Sequence, residues 1–233
     1  MFSKYNKKTE LHAHTSPASG CSDIPYDIIP QIYKDKGFSA LTITNHFIPK
    51  DTNLNKYDYI EFYMNDFEKA RKIGEDLGIN VILGVEYRLF ENVNDYLIYG
   101  VDKNDLEELF DRGQNTIEDF YSAFKNDKRV IIQAHPMRNN VSATVHTDGY
   151  EVFNMHPGHN QRPALASKLS ENKDMLITCG SDFHHFGHEA TISCLFKTVP
   201  EDSFHLAELI KSKEYIFQMG KSIILPYGDE VKL

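Results

Sequence analysis

The sequence predicts an α/β fold in which βα units surround a largely parallel sheet. Two observations predict it. Short apolar runs of strand length alternate with longer segments whose apolar residues recur at helical spacing. Most of those apolar runs end on a histidine, a carboxylate or an asparagine, and the carboxyl ends of the strands form the working face of an α/β barrel. The length of 233 residues suits one domain over 1–233, with no internal repeat, low-complexity tract or Pro/Gly/Ser-rich linker to divide it.

The first strand is expected over Glu10–His14. Tyr26–Lys36 reads as a helix closed by Gly37, a common stop residue. Ala40–Thr44 is strand-like, rich in β-branched and apolar residues. A long helix follows over roughly Tyr57 to Leu77. There Ile60, Met64, Phe67, Ile73 and Leu77 define one apolar stripe, and Gly78 ends the helix. Asn80–Glu86 and Tyr96–Val101 are the next strands. Asp105–Arg112 and Ile117–Asn126 are helical, Arg129–His135 is a buried strand and Gly149–Asn154 another. Gln161–Glu171 is a helix, Met175–Ser181 a strand and Ser203–Lys213 the last helix. The segment after Glu214 mixes apolar residues with Gly and Pro and predicts no definite element.

Composition narrows the function. Hydrophobic residues at 41% and charged residues at 25% describe an ordinary globular chain and exclude disorder. A formal charge of −9 disfavours extended nucleic acid, whose phosphates call for a basic surface, but leaves room for a local phosphate pocket. No apolar run approaches a membrane span. Met1–Thr9 is polar, carries Lys4, Lys7 and Lys8, and lacks the apolar stretch of a secretory signal. Cys21, Cys179 and Cys194 have no paired spacing and read as reduced thiols. The expected location is cytoplasmic, with no membrane partner; the oligomeric state is left open.

Histidine is the unusual entry: 11 residues against no tryptophan, many of them clustered. His12 and His14, at i and i+2 on a strand, face the same side and can share one ion. Further metal-type side chains follow successive strands: His46, Glu86, Asp102, His135, Asn154 with His156, and Asp182 with His184. Carboxylates and imidazoles without thiolate favour Zn²⁺, Mn²⁺ or Fe. The set exceeds the ligands of one ion, so two or three divalent ions share it better, and Glu86 suits a bridging place. Two ions about 3.5–4 Å apart can activate a water and stabilise the leaving oxygen of an in-line displacement. Arg88 and Arg138 sit two or three residues past a proposed ligand, placed either to fork onto phosphate oxygens or to form rim salt bridges. His156 and His159 read as proton donors or substrate contacts at the mouth, or else as surface residues. His188 faces the pocket rather than His185, and His146 and His205 are assigned to the surface.

His12-Ala13-His14-Thr15, Thr44-Asn45-His46, Gly84-Val85-Glu86, Ala134-His135-Pro136, Glu151-Val152-Phe153-Asn154 and Gly180-Ser181-Asp182-Phe183-His184 resemble the ordered motifs of the PHP (polymerase and histidinol phosphatase) superfamily, from about residue 9 to 195. The resemblance implies a distorted, TIM-like, seven-stranded β/α barrel with a two- or three-metal phosphoesterase site. Carried over, His12, His14, Glu86 and Asp182 hold one ion, Glu86 and His135 a second, and His46 and His184 a third. Three positions depart from the family pattern. Gly20, with Cys21 and Ser22 beside it, stands where a His is common. Asp102 is the nearest candidate for a His after the fourth strand. Asn45 replaces a usual Asp and could orient a water but not act as a base.

The expected activity is hydrolysis of a small phosphorylated metabolite or nucleotide by a metal-activated hydroxide. Arg138 offsets charge on the phosphoryl oxygens, and the leaving oxygen takes its proton either from a metal-bound water or from a nearby histidine such as His159. Histidinol phosphate is among the substrates the resemblance admits. Two alternatives stand beside this reading. An amidohydrolase-type barrel shares the His-x-His and a late Asp, but not Glu86, His46 or the Asp182-x-His184 pair. The other is a metal-binding module without turnover.

Overall fold

Lys7–Ala13 forms strand β1, and its last five residues are buried, so Glu10 and His12 must find polar partners inside the protein. The computed structural model describes residues 3–90, 93–138, 142–171 and 174–228. Helix α1 (Ile29–Asp35) opens with Pro30 in its first turn, where a missing N–H costs nothing. Strands β2 (Ala40–Ile43) and β3 (His46–Phe47) follow, then helix α2 (Lys56–Leu77). Asn55 caps α2 by accepting from the Asp58 N–H at 3.1 Å. Gly78 ends the helix in the left-handed region at φ +69. The α2 stripe buries Ile60, Met64 and Phe67.

The chain continues through β4 (Asn80–Leu83), β5 (Val85–Tyr87), β6 (Tyr96–Tyr99), α3 (Lys103–Asp111), α4 (Ile117–Phe124), β7 (Val130–Gln133) and β8 (Gly149–Asn154). It ends with α5 (Pro163–Leu169), β9 (Leu176–Gly180), β10 (Ser193–Phe196), α6 (Ser203–Lys211), β11 (Ile216–Met219) and β12 (Ser222–Ile224). Among the described residues no helix is long and apolar enough to cross a membrane.

The α/β class is as expected, but the strands pair into two open six-stranded sheets rather than one closed seven-stranded ring. Their orders are β12-β11-β10-β1-β2-β4 and β3-β5-β6-β7-β8-β9. The division arises where two strand runs break. Between β2 and β3 the chain bends at Thr44 and Asn45. Between β4 and β5 it bends at Gly84, where a Cβ would lie 2.7 Å from the Thr44 methyl. The end of β9 nevertheless lies against the end of β1: the Asp182 N–H donates to the His12 carbonyl at 2.9 Å, and the His14 N–H to the Phe183 carbonyl at 3.1 Å.

Pairing is also less parallel than the sequence predicts. Strand β6 runs antiparallel to both β5 and β7, because a link of only residues 88–95 is too short for the crossover that parallel neighbours need. Strand β10 runs antiparallel to β1, and β11 and β12 extend that edge. The reversal of β6 matters for the site. Its carboxyl end points away from the ends of β1, β5 and β7, while its amino end, at Asp95, lies among them.

Candidate metal centre

His12 projects from β1 and His14 from the residue just past its end, with their Nε2 atoms 3.1 Å apart, and neither side chain reaches solvent. Their tautomers follow from the other ring nitrogen. His12 Nδ1 donates to Glu151 Oε1 at 2.8 Å. His14 Nδ1 lies 3.1 Å from Ser19 Oγ, which donates its own proton to Asn45 Oδ1 at 3.0 Å and so accepts from the imidazole. Without a cation, burial opposes a charge on His12 but Glu151, Asp182 and Glu86 outweigh it and hold the ring well above the usual imidazole range; once that proton is displaced, both Nε2 atoms present lone pairs toward the same point, an arrangement that suits a cation.

Carboxylates converge on that point. Glu86 Oε2 lies 2.8 Å from His46 Nδ1, 3.2 Å from His14 Nε2 and 3.5 Å from His12 Nε2. Asp182 Oδ1 lies 3.4 Å from Nε2 of both His12 and His14, and 3.2 Å from His184 Nδ1. Glu86 Oε1 bonds His135 Nε2 at 3.0 Å. Glu86 Oε2 and His46 Nδ1 are both buried without a hydrogen-bond partner, although they stand within ion-pair distance of each other. An orphaned carboxylate oxygen ringed by imidazoles fits a divalent cation in chemistry and crowding. His135 and Asp182 hold left-handed backbone, φ +31 and +51, rare for residues with a side chain and found where function over-determines geometry.

Residues 10–222 match the PHP domain. The chain belongs to the PHP domain family. This PHP chain is similar in structure to a two-domain protein from Bacteroides vulgatus containing a predicted PHP-like metal-dependent phosphoesterase, at TM-score 0.66 and 15% identity. The match covers 93% of this chain and 66% of that one, so the chain spans just under two thirds of that protein. It is also similar to a candidate metal-dependent phosphoesterase from Bifidobacterium adolescentis (TM-score 0.52, 15% identity, 87% and 95% covered). A third likeness is to an amidohydrolase from Chromobacterium violaceum with bound sulfate and no metal (TM-score 0.54, 13% identity, 78% and 89% covered). At these identities the likenesses speak to fold alone. No curated protein matches the PHP chain in sequence.

Of the eight ligand positions expected from the sequence, seven come together: His12, His14, His46, Glu86, His135, Asp182 and His184. Asp102 does not. It is exposed at the far end of the reversed β6, where its Oδ1 caps α3 by accepting from the Asn104 and Asp105 N–H groups at 2.8 and 3.2 Å. Asp95, at the amino end of the same strand, takes its place. It is fully buried and stands with His46 and Glu86 as a group able to hold an ion. Arg88 forks onto Asp95 at 2.6 and 2.8 Å, and Arg138 reaches it at 3.4 Å while lying 3.2 Å from His135 Nε2. These arginines therefore bridge the rim and flank a cleft of about 230 Å³, lined also by Asn94, His135 and Ser142.

The His156 and His159 rings are tilted against each other with centroids 4.5 Å apart, and His156 stands edge-on to His184 at 5.4 Å. Burial pushes His156 down to about 4 and lowers His159, which also lies beside Arg138, so both rings are neutral near neutrality. His188 is half-buried, with no described side-chain contact to the cluster. Asn45 points at the loop after β1 rather than at the site: Oδ1 accepts from the Thr15 N–H and Ser19 Oγ, and Nδ2 donates to Thr15 Oγ1. It locks the loop that supports His14, and this occupies the side chain expected to orient a water.

The supporting residues were harder to anticipate. Glu151 holds His12 Nδ1, the His135 N–H at 3.0 Å and Asn154 Nδ2 at 2.9 Å; Asn154 Nδ2 also reaches Asp182 Oδ2 at 3.0 Å. This is the carboxylate–imidazole support that fixes tautomer and ring orientation in metal sites. Gly180 makes room for it, since a Cβ there would lie 2.4 Å from His12 Cβ and 2.6 Å from Glu151 Oε1. Cys21 approaches from the loop after β1. Burial raises its thiol pKa, but the neighbouring His184 and His46 imidazoles win and pull it down to about 6.

The charges define how the metal-free PHP domain responds to pH. Burial opposes protonation of His46, but Glu86 outweighs it and holds the imidazole at about 10. Burial also opposes His184, which Asp182 lifts to about 9. Burial, with His184 and His46 nearby, drops His14 to about 3. Relative to the ordinary 6.5, the raised pair stabilises the fold below about 6.5 and loses that contribution as pH climbs through 9 and 10. His14 stabilises above 6.5 and loses its contribution as pH falls toward 3. Metal-free protein is therefore expected to melt at lower temperature on either side of about pH 6.5. Zinc should flatten the alkaline limb, because it replaces the protons on His46 and His184. Thermal melts with chelator and with zinc across that range check this; an alkaline limb unchanged by zinc would contradict it.

Proposed function

We propose that this PHP domain is a metal-dependent phosphomonoesterase acting on a small phosphorylated metabolite or nucleotide. The observation that carries the reading is the buried, hydrogen-bond-orphaned Glu86 Oε2 among three imidazole nitrogens, with an arginine-flanked cleft opening beside it. His12, His14, Glu86 and Asp182 would hold one ion, Glu86 and His135 a second, and His46 with His184 a third. Ions there, of zinc, manganese or iron, would supply Lewis acidity toward phosphoryl oxygens and acidify a water to serve as nucleophile.

The chain's own residues do the rest. Arg138 and Arg88, each about a fifth to a quarter exposed and anchored on Asp95, present N–H donors to the phosphoryl group. Asp95 holds both guanidinium groups so that little order must be gained as substrate binds. The reversed strand β6 thus serves the site by delivering Asp95. Glu151, Asn154 and Ser19 keep the His12 and His14 rings and Asp182 oriented. His159, neutral and at the rim, passes a solvent proton to the leaving oxygen.

The direct test is hydrolysis of p-nitrophenyl phosphate and of alkyl phosphates with added Mn²⁺ or Zn²⁺, before and after His12→Ala. Loss of turnover in the variant supports the reading; equal rates overturn it. His159→Gln separates the proton transfer. An alkyl phosphate needs a protonated leaving group, so kcat should fall about 100-fold. p-Nitrophenolate leaves unaided, so its kcat should barely change. Equal losses on both substrates would remove His159 from that role.

A further inference from the structure

We propose that a second cleft, on the other side of Arg88, is the subsite for the organic part of the substrate, and that this part carries a flat, uncharged ring. The inference rests on the phosphomonoesterase reading above and names the class of ester. Two clefts meet at Arg88. The first, of about 230 Å³, holds Arg138 and His135. The second encloses about 620 Å³ and is lined by His46, by the segment that follows β3 and by the start of α2. Glu86 ties the two together: its Oε1 bonds His135 Nε2 at 3.0 Å, and its Oε2 stands 2.8 Å from His46 Nδ1. A phosphoryl group at Glu86 with its oxygens on the arginines therefore has room for its ester substituent on the His46 side.

The walls of the second cleft fit that substituent. Ile48, Leu54, Tyr59 and Phe62 supply an apolar face. Leu54 and Phe62 are 44% and 38% exposed, so the folded chain leaves this face uncovered. Apolar and aromatic walls around a cleft of this size suit a ring-sized ligand. Tyr59 and Phe62, three residues apart, lie on one side of α2. Tyr59 is fixed in place: its Oη accepts from the Ile48 N–H at 3.0 Å, and its ring packs on Phe47 with centroids 5.0 Å apart. The opposite wall, the loop after β1, is tied to α2 where the Ala18 N–H donates to Asp66 Oδ2 at 2.9 Å. The subsite is thus formed before substrate arrives, which lowers the ordering cost of binding.

Charge restricts the ligand further. Arg88 is the one lysine or arginine among the described residues lining this cleft, and it is already forked onto Asp95. Asp51 adds an exposed carboxylate. A second phosphate carried into the cleft would meet that charge with no cation to offset it, so monophosphates are accepted and bisphosphates disfavoured.

The test compares esters that share a primary alkyl phosphate. With Mn²⁺ or Zn²⁺ added, kcat/KM for 2-phenylethyl phosphate and adenosine 5′-monophosphate should exceed that for glycerol 1-phosphate by about 30-fold. Adenosine 3′,5′-bisphosphate should fall about 10-fold below the monophosphate. Phe62→Ala should cut the preference for ring esters about 10-fold, chiefly through KM, and Phe62→Tyr should keep it. Calorimetry of the metal-loaded protein reads the subsite without turnover: 2-phenylethylphosphonate should bind about 30-fold tighter than methylphosphonate, with a negative heat-capacity change. The ring ester that is turned over faster tells a nucleoside from a simple aryl alcohol, and either order supports the subsite. Glycerol 1-phosphate hydrolysed as well as the ring esters, or ratios and phosphonate affinities unchanged in Phe62→Ala, would overturn the proposal and leave the phosphomonoesterase reading standing. Tight binding of the ring phosphonate without turnover of any ester would overturn that reading and keep the subsite. Neither binding nor turnover would overturn both.

Discussion

Glu86→Gln is expected to lower kcat/KM for phosphate monoesters by about 1,000-fold, a loss of about 4 kcal/mol in transition-state stabilisation. The carboxylate serves three imidazoles through Oε2 and a fourth through Oε1, and opposing His46 and His12 charges hold it well below the usual carboxylate range despite its burial. An amide of the same shape keeps the packing but loses the charge, and its N–H₂ group turns toward bare Nε2 atoms that were aimed at a cation. Two proposed ions share this residue, so one substitution should deplete both. Metal content by mass spectrometry together with steady-state kinetics checks it. Kinetics within a factor of a few of the original protein, with full metal content, would remove Glu86 from the centre.

The second large effect falls on stability. Glu10 is buried and accepts five hydrogen bonds: from the N–H groups of Leu11, His12 and Ser181 at 3.0–3.1 Å, from Ser181 Oγ at 2.6 Å and from Tyr33 Oη at 2.9 Å. It stitches the end of β1, which carries His12, to the end of β9, which leads into Asp182. Glu10→Ala leaves those donors buried without partners and opens a cavity between the two strands. The expected cost is about 3–5 kcal/mol. For a chain of this size that lowers Tm by roughly 6–20 °C. Urea denaturation of the metal-free protein measures the change free of any contribution from bound metal. A loss under about 1 kcal/mol would show that the network is slack and that other contacts align His12 with Asp182.

Much of the site was legible because its residues obey a local rule. His46, Glu86, His135, Asp182 and His184 each follow or close an apolar run, and His12 with His14 obey the two-residue period of a strand. Glu151 is hard to read as a supporting group because it sits inside β8 and declares itself only when His12, on β1 of the other sheet, reaches it at 2.8 Å. Asp95 and Asp102 show the limit more sharply. The apolar run Tyr96–Tyr99 announces a strand but carries no arrow. Placing the working end at Asp102 assumes parallel pairing, and the available contrary signal was the length of 88–95, too short for a crossover helix.

The two-sheet division had a similar origin. Asn80–Glu86 reads as one strand, yet Gly84 allows a bend that hands the chain from one sheet to the other. Strands β10 to β12 carry no functional side chain and little alternation, so they appear only through their antiparallel pairing with β1 and one another.

The central claim is that side chains scattered from β1 to the end of β9 meet to hold divalent cations. Anomalous diffraction from zinc-soaked crystals, recorded on both sides of the zinc edge, tests it most directly. The account predicts a peak about 2.0–2.2 Å from His12 Nε2, His14 Nε2 and the Glu86 and Asp182 oxygens, and a second peak sharing Glu86 with His135. Zinc bound only at surface carboxylates, with no peak within reach of Glu86, would contradict it.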